Sequence, residues 1–144
     1  MNPGTRIIGS IGNILSDDRQ VYFTDKSVIL VKTSWRTFRL KMLGNAHVMF
    51  PTDWNNMGDI TQILGDINKR KEAEIPIEHV HLIDLTPPKR GLILKGKHGL
   101  IRFWLVNGSF IDVKIDIECP QEDFNKIYQL LNTIFPGKTR IIQQ

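Results

Sequence analysis

The stretch Gln20 to Thr33, QVYFTDKSVILVKT, constrains the fold more than any other part of the chain. Val21, Tyr22 and Phe23 run into Thr24-Asp25-Lys26-Ser27, and Val28, Ile29, Leu30 and Val31 run out. β-Branched and aromatic residues suit a pleated surface, while Asp and Ser suit a turn, so the spacing predicts a tight hairpin. Its second arm is apolar at consecutive positions, which predicts a strand covered on both faces and deep in a sheet.

The flanking sequence continues in the same idiom. Arg6 to Leu15 reads as a first strand interrupted by Gly9 and Gly12, where a bulge or bend is expected. Ser16-Asp17-Asp18-Arg19 is a polar turn before the hairpin. Trp35 to Met42 alternates in part and predicts a half-exposed fourth strand, and Ala46 to Phe50 fits a short strand or a loop. The character then changes. Ile60, Ile63, Leu64 and Ile67 fall on one helical face and Lys69-Arg70-Lys71 crowds the far end, which predicts one inserted helix over about 53–72. Extended structure is expected to resume at Pro76, with strands over Val80–Leu85, Gly91–Lys95 and Leu100–Val106 and a turn at Gly96–Gly99.

Asn107-Gly108 predicts a two-residue hairpin turn, and Phe110 to Ile117 then alternates, with Ile111, Val113, Ile115 and Ile117 inward and Asp112, Lys114 and Asp116 outward. The closing element is an amphipathic helix. Pro120 suits its first position, Glu122 and Asp123 its first turn, and Phe124, Ile127, Tyr128, Leu131, Ile134 and Phe135 make one apolar stripe ended by Pro136-Gly137. Lys138 to Gln144 reads as a frayed basic tail. Short turns between strands imply antiparallel pairing. The expected architecture is therefore mainly β within the α+β class: a strongly bent antiparallel sheet or small barrel of about seven strands, capped by the C-terminal helix. All of 1–144 is expected to form one domain, with a loose N-terminus at 1–5.

Composition narrows the functional classes. An apolar fraction of 41% and a charged fraction of 24% are those of a globular chain. Nineteen basic against fifteen acidic residues give a formal charge of +4, which permits attraction to phosphate-bearing surfaces without requiring it. One cysteine, Cys119, allows neither an internal disulfide nor a cysteine-based zinc cage and fits a reducing cytoplasm. No stretch approaches the ~20 apolar residues of a membrane span. The N-terminus MNPGTRIIGSIG has no signal-peptide layout, and Asn2 departs from the myristoylation pattern.

Several stretches taken together resemble the GRAM-type and prokaryotic pleckstrin-homology-like (PH-like) domains. QVYFTDKSVILVKT resembles their strand, T-[DN]-K, strand hairpin; IPIEHVHLIDL resembles the strand that follows; GLILKGKHGLIRFWL resembles their next hairpin; and the last helix matches in place and type. The resemblance covers roughly residues 6–135, with the inserted helix as its main departure. It implies a scaffold that binds phosphoinositides, other lipids or proteins. Members that bind phosphoinositides usually carry basic residues between the first two strands, where this chain has Asp17 and Asp18.

No catalytic signature is present, and no cofactor is expected. The stretches GSIG at 9–12 and GKHG at 96–99 match neither phosphate-loop pattern. His79 and His81, with His47 or His98 as a third ligand, would be the basis of a metal enzyme, but no HExxH or suitably spaced acid accompanies them, and no metal site is assigned. Cys119 before Pro120 reads as structural. Two sets of residues are candidates for binding. Lys89, Arg90, Lys95, Lys97 and Arg102 cluster around one hairpin and form a basic face. Trp54, at the start of the inserted helix, and Trp104, pointing away from Phe103, are candidates for partner contact, the alternative being packing within the insertion for Trp54 and cover of a second core layer for Trp104. The expected role is a non-catalytic binding or adaptor module in the cytoplasm, contacting a protein partner or a second copy of itself. The alternative is peripheral attachment to an anionic membrane, at its inner face, through the basic hairpin. Nucleic acid and a small-molecule substrate are not expected as partners.

Overall fold

The computed structural model describes residues 4–32, 47–91, 93 and 95–143. They form a mixed α+β structure, mainly β, with strands β1 (Ile7–Ile11), β2 (Arg19–Thr24), β3 (Ser27–Lys32), β4 (Val48–Met49), β5 (Lys71–Pro76), β6 (Val80–Thr86), β7 (Gly99–Leu105), β8 (Phe110–Ile115) and β9 (Thr139–Ile141). The helices are α1 (Pro51–Asn55), α2 (Thr61–Arg70) and α3 (Gln121–Ile134). Two compact units are distinguishable, one of Met1–Asn13 with Asp18–Ile77 and one of Ile14–Asp17 with Glu78–Gln144. No helix among the described residues is long and apolar enough to cross a membrane.

The first unit holds a five-stranded antiparallel sheet in the order β4-β1-β2-β3-β5. The β2–β3 hairpin is as expected: Phe23 pairs with Val28, and the Thr24 hydroxyl accepts from the amides of Lys26 (3.1 Å) and Ser27 (2.9 Å) to close the turn. Val28, Ile29 and Val31 are fully buried at successive or alternate positions, so both faces of β3 are covered. The register of β1 on β2 slips between Ile7 and Gly9, the irregularity that a glycine in a strand foreshadows. One face of the sheet contributes Ile7, Tyr22, Ile29, Val31 and Met49 to a core shared with Trp54, Ile63 and Ile67 of the helices.

The expected single helix over 53–72 is two. α1 ends at Asn55 with Asn56 as its C-cap, and Gly58, in the connection to α2, adopts φ +76°, a left-handed conformation that a continuous helix could not contain. Nor does α2 run to the expected end: Lys71–Pro76 is extended and pairs with β3. The charges of KEAEIP hide a strand that lies at the sheet edge, where exposed charged side chains are tolerated and discourage further pairing. The strand expected over Trp35–Met42 lies outside the described residues.

The second unit holds a four-stranded sheet in the order β8-β7-β6-β9. Residues Ile14–Asp17 join it, with the Ser16 amide donating to the Lys114 carbonyl and the Asp116 amide to that of Ile14, both at 2.9 Å. The inward residues of β6–β8, Ile83, Leu85, Ile101, Phe103, Val113 and Ile115, are fully buried, and α3 buries Phe124, Ile127, Leu130 and Leu131. Among the described residues the strands form two sheets, of five and four, where the sequence predicts a strongly bent sheet or small barrel of about seven strands. The tail is not frayed, because Thr139–Ile141 adds to β6 as a parallel strand. A parallel neighbour needs a crossover, and the helix α3 supplies it. The Asn107-Gly108 hairpin is real but carries positive φ only at Gly108 (+88°), while the Asn107 side chain accepts from the Ser109 amide at 2.9 Å; the loop is a three-residue turn ending in a glycine, not a two-residue one. The described residues of the strand expected over Gly91–Lys95 are not in a strand.

Candidate binding surface

Strand parity sets the outward face of the second sheet. Arg102 lies between Asp84 on β6 and Asp112 on β8, and Asp84 in turn pairs with Arg140 on β9. One cross-strand row therefore reads Arg140, Asp84, Arg102, Asp112, with charge alternating at every step. Opposite charges directly across strands attract, and this row uses that fully. The Arg102 guanidinium makes a two-pronged contact with Asp112, Nε to Oδ1 at 2.7 Å and Nη2 to Oδ2 at 2.8 Å. Arg140 grips both carboxylate oxygens of Asp84, one of them through Nε and the other through Nη2 at 3.3 Å. The hydrogen bond from Arg140, followed by that from Trp104, outweighs partial burial and holds the Asp84 carboxyl below the usual carboxylate range. Asp112 raises the basicity of Arg102 in the same way.

The next row reads Leu82, Trp104, Phe110. Trp104 donates its Nε1 hydrogen to Asp84 Oδ2 at 2.9 Å, which fixes the ring. Its neighbour Phe110 meets it edge-on, with ring centroids 5.2 Å apart, and remains 47% exposed. Arg102 Cζ lies 4.0 Å from the centre of the Phe110 ring and 5.3 Å from that of Trp104. A planar cation over an aromatic face is attracted by the ring quadrupole, and here its hydrogens are simultaneously engaged by a carboxylate. The result is a rigid aromatic–guanidinium patch on a sheet, with its charges paired internally.

The structure separates residues that the sequence grouped. Arg102 belongs to this patch and not to the basic hairpin, because its cross-strand neighbour is an acid. Lys89, Arg90, Lys95 and Lys97 are exposed on the connection between β6 and β7. Trp54, expected at a partner contact, is 3% exposed: it packs edge-on against Tyr22 at 6.1 Å and donates to the buried Ser10 hydroxyl at 3.1 Å, so it is a core residue of the first unit. Trp104 stays at the surface, partly covered. Phe110, Asp84, Asp112 and Arg140 are not among the site residues expected from the sequence. Phe110 has the parity of Asp112, which the alternation had already turned outward, so that signal was available; nothing local points to Arg140, which arrives through β9.

The other candidates are less organised. His79 ends a 3-10 turn and His81 lies exposed on β6, while His98 Nδ1 is 3.1 Å from the Ser16 hydroxyl. Among the described residues no group of three His, Cys, Asp or Glu side chains is placed to hold a metal. Pro88, Arg90, Ile117, Cys119, Pro120, Gln121 and Phe124 line an open cleft of about 410 Å³. Burial, followed by Asp123 and Asp116, pushes the Cys119 thiol up to about 11, the opposite of an activated nucleophile.

In comparison with known proteins, the chain matches no family model, no curated protein and no solved structure. Its class is thus defined by architecture alone: the described residues form a mainly β, α+β structure with two sheets and three helices.

Proposed function

We propose that this protein is a non-catalytic binding module of the PH-like, GRAM-like type, and that it docks a protein partner on the Arg102–Trp104–Phe110 face. The early TDK hairpin, the second set of antiparallel strands and the amphipathic helix that follows them support the PH-like reading; the α1–α2 segment and β9 are additions to that plan. The observation that carries the docking reading is the half-exposed Phe110 ring stacked beneath an Arg102 whose hydrogens are already held by Asp112. Protein interfaces draw most of their affinity from a few Trp, Tyr and Arg side chains with neighbours that exclude water. A patch frozen by internal contacts loses little side-chain entropy on docking. Its guanidinium is also already paired, so a partner that covers it buries no lone charge. A second copy of the chain is one such partner. The thiol of Cys119, kept buried and protonated, is compatible with a reducing cytoplasm.

Affinity capture with the wild-type chain and with Phe110→Asp tests this. The reading expects a discrete partner, or self-association, that the variant loses while its circular dichroism is unchanged. Equal recovery of the same partner by both chains would overturn it.

A further inference from the structure

Arg102 has an acid across each of its neighbouring strands and binds only one of them. In register it lies opposite Asp84 on β6 and opposite Asp112 on β8. Its guanidinium turns to Asp112, through Nε at 2.7 Å and Nη2 at 2.8 Å, and in that orientation Cζ lies 4.0 Å from the centre of the Phe110 ring. Electrostatics by itself favours the other acid. The Asp84 side chain is 16% exposed and that of Asp112 32%, and a carboxylate with less water around it attracts a cation more strongly. Asp84 is closed to Arg102 because it is occupied. Arg140 holds both of its oxygens, and Trp104 donates to one of them. Of the attractions that keep its carboxyl low, that of Arg140 is the largest, and Arg102 adds a smaller one from across the strand.

β9 delivers Arg140 to this place. The strand is three residues long and lies at the sheet edge. Around it the Ile83 amide donates to the Lys138 carbonyl, the Ile142 amide to that of Leu85, and Lys138 Nζ to the Val80 carbonyl at 3.2 Å. Lys138 thus directs its ammonium at a carbonyl and leaves the acid to Arg140. Without Arg140, Asp84 would be a mostly buried carboxylate with no cation bonded to it, which is a costly arrangement. The cation that faces it across the strand is Arg102. We propose that Arg140 is a positioning residue for the Arg102–Trp104–Phe110 face: by occupying Asp84 it keeps Arg102 on Asp112 and over Phe110, and when it is withdrawn Arg102 crosses to Asp84 and uncovers the Phe110 ring. The two carboxylates give Arg102 two discrete seats, and β9 biases the choice between them. A partner that fits the present arrangement therefore also strengthens the hold of β9 on the sheet, since coupling between two such sites is reciprocal. That consequence for docking rests on the proposed docking face; the exchange of carboxylates does not.

The test is nuclear magnetic resonance of the arginine Nε–H groups in the full chain, with the Arg102 signal assigned by its loss in Arg102→Lys. In the wild type, Asp112→Asn should shift that signal. Arg140→Gln, a change at a side chain that is 58% exposed, should shift it as well. Two further substitutions in the Arg140→Gln background read where Arg102 has gone. Adding Asp84→Asn removes the rival seat and should return the signal to its wild-type position, whereas adding Asp112→Asn should now leave it unmoved. Arg140→Lys still places a cation on Asp84 and should keep the wild-type position. A purely structural role for β9 would produce no such exchange of dependence. An Arg102 signal that Arg140→Gln leaves in place, or that still follows Asp112→Asn in that background, overturns the proposal. Failure of the docking face is seen separately, by equal capture of a partner with wild type and Phe110→Asp, and leaves the exchange of carboxylates standing.

Discussion

Replacing Trp54 should damage the fold of the first unit, and by a calculable amount. Its ring is 3% exposed among Ile7, Tyr22, Ile29, Val31, Met49, Ile63 and Ile67. It also anchors α1, whose five residues are too few to be helical alone. Trp54→Ala removes a large buried ring, a change that costs about 3–5 kcal/mol in protein cores. Part of that cost is separable. The Nε1 bond to Ser10 is with a hydroxyl that is itself buried, and a buried polar group left without its partner costs about 1–3 kcal/mol. Trp54→Phe isolates this part together with a modest loss of volume and should cost about 2–3 kcal/mol, while a double-mutant cycle with Ser10→Ala should show coupling of about 1 kcal/mol. Urea unfolding followed by far-ultraviolet circular dichroism reads all of these. With a slope of about 2 kcal/mol per molar, Trp54→Ala should lower the midpoint by about 1.5–2.5 M. A midpoint unchanged within about 0.3 M, or no coupling to Ser10, would refute the core assignment and return Trp54 to the surface.

Other outcomes follow from particular residues. Gly58→Ala should destabilise by about 1–2 kcal/mol, since φ +76° is left-handed, whereas Gly65→Ala, inside α2 with nothing within 4 Å of the added carbon, should stabilise by up to about 1 kcal/mol; thermal melts distinguish the signs. Asp84 titrates below its ordinary 3.8 because Arg140 binds its ionised form, so its contribution is present above that value and is lost as the pH falls through the lower folded value. Asp84→Asn should therefore flatten the acid limb of a stability–pH profile measured below about pH 4. With its thiol held near 11, Cys119 should react slowly with a disulfide reagent at pH 8 in the folded chain and quickly in denaturant.

What the residues disclosed in advance follows from how local each signal is. The β2–β3 hairpin, the Asn107-Gly108 turn and α3 are encoded within short windows, by turn chemistry or by a strict apolar period, and the structure has them in place. The 53–72 segment departs from its sequence expectation near its start and at its end: the apolar face of Ile60, Ile63, Leu64 and Ile67 is real, but the connection with a positive φ at Gly58 separates two helices, and KEAEIP becomes a strand only because β3 offers it an edge. β9 is three residues long, too short to carry any period, and exists because α3 returns the chain beside β6. The candidate surface divides along the same line. The outward direction of Trp104 and Arg102 was readable from alternation, but the carboxylate that claims Arg102, and the arginine that claims Asp84, come from neighbouring strands. Trp54 reads in sequence either as a packing residue or as a partner contact, because an aromatic residue near a helix start looks the same in both settings, and its burial places it in the core.

Site-directed photo-crosslinking tests the proposed docking face most directly. A benzoylphenylalanine replacing Phe110 should yield one discrete adduct on irradiation in native extract, lost when Arg102→Ala is added, while the same probe at Gln129 on the exposed side of α3 yields none. Identical adducts from both positions, or none from position 110, would contradict the account.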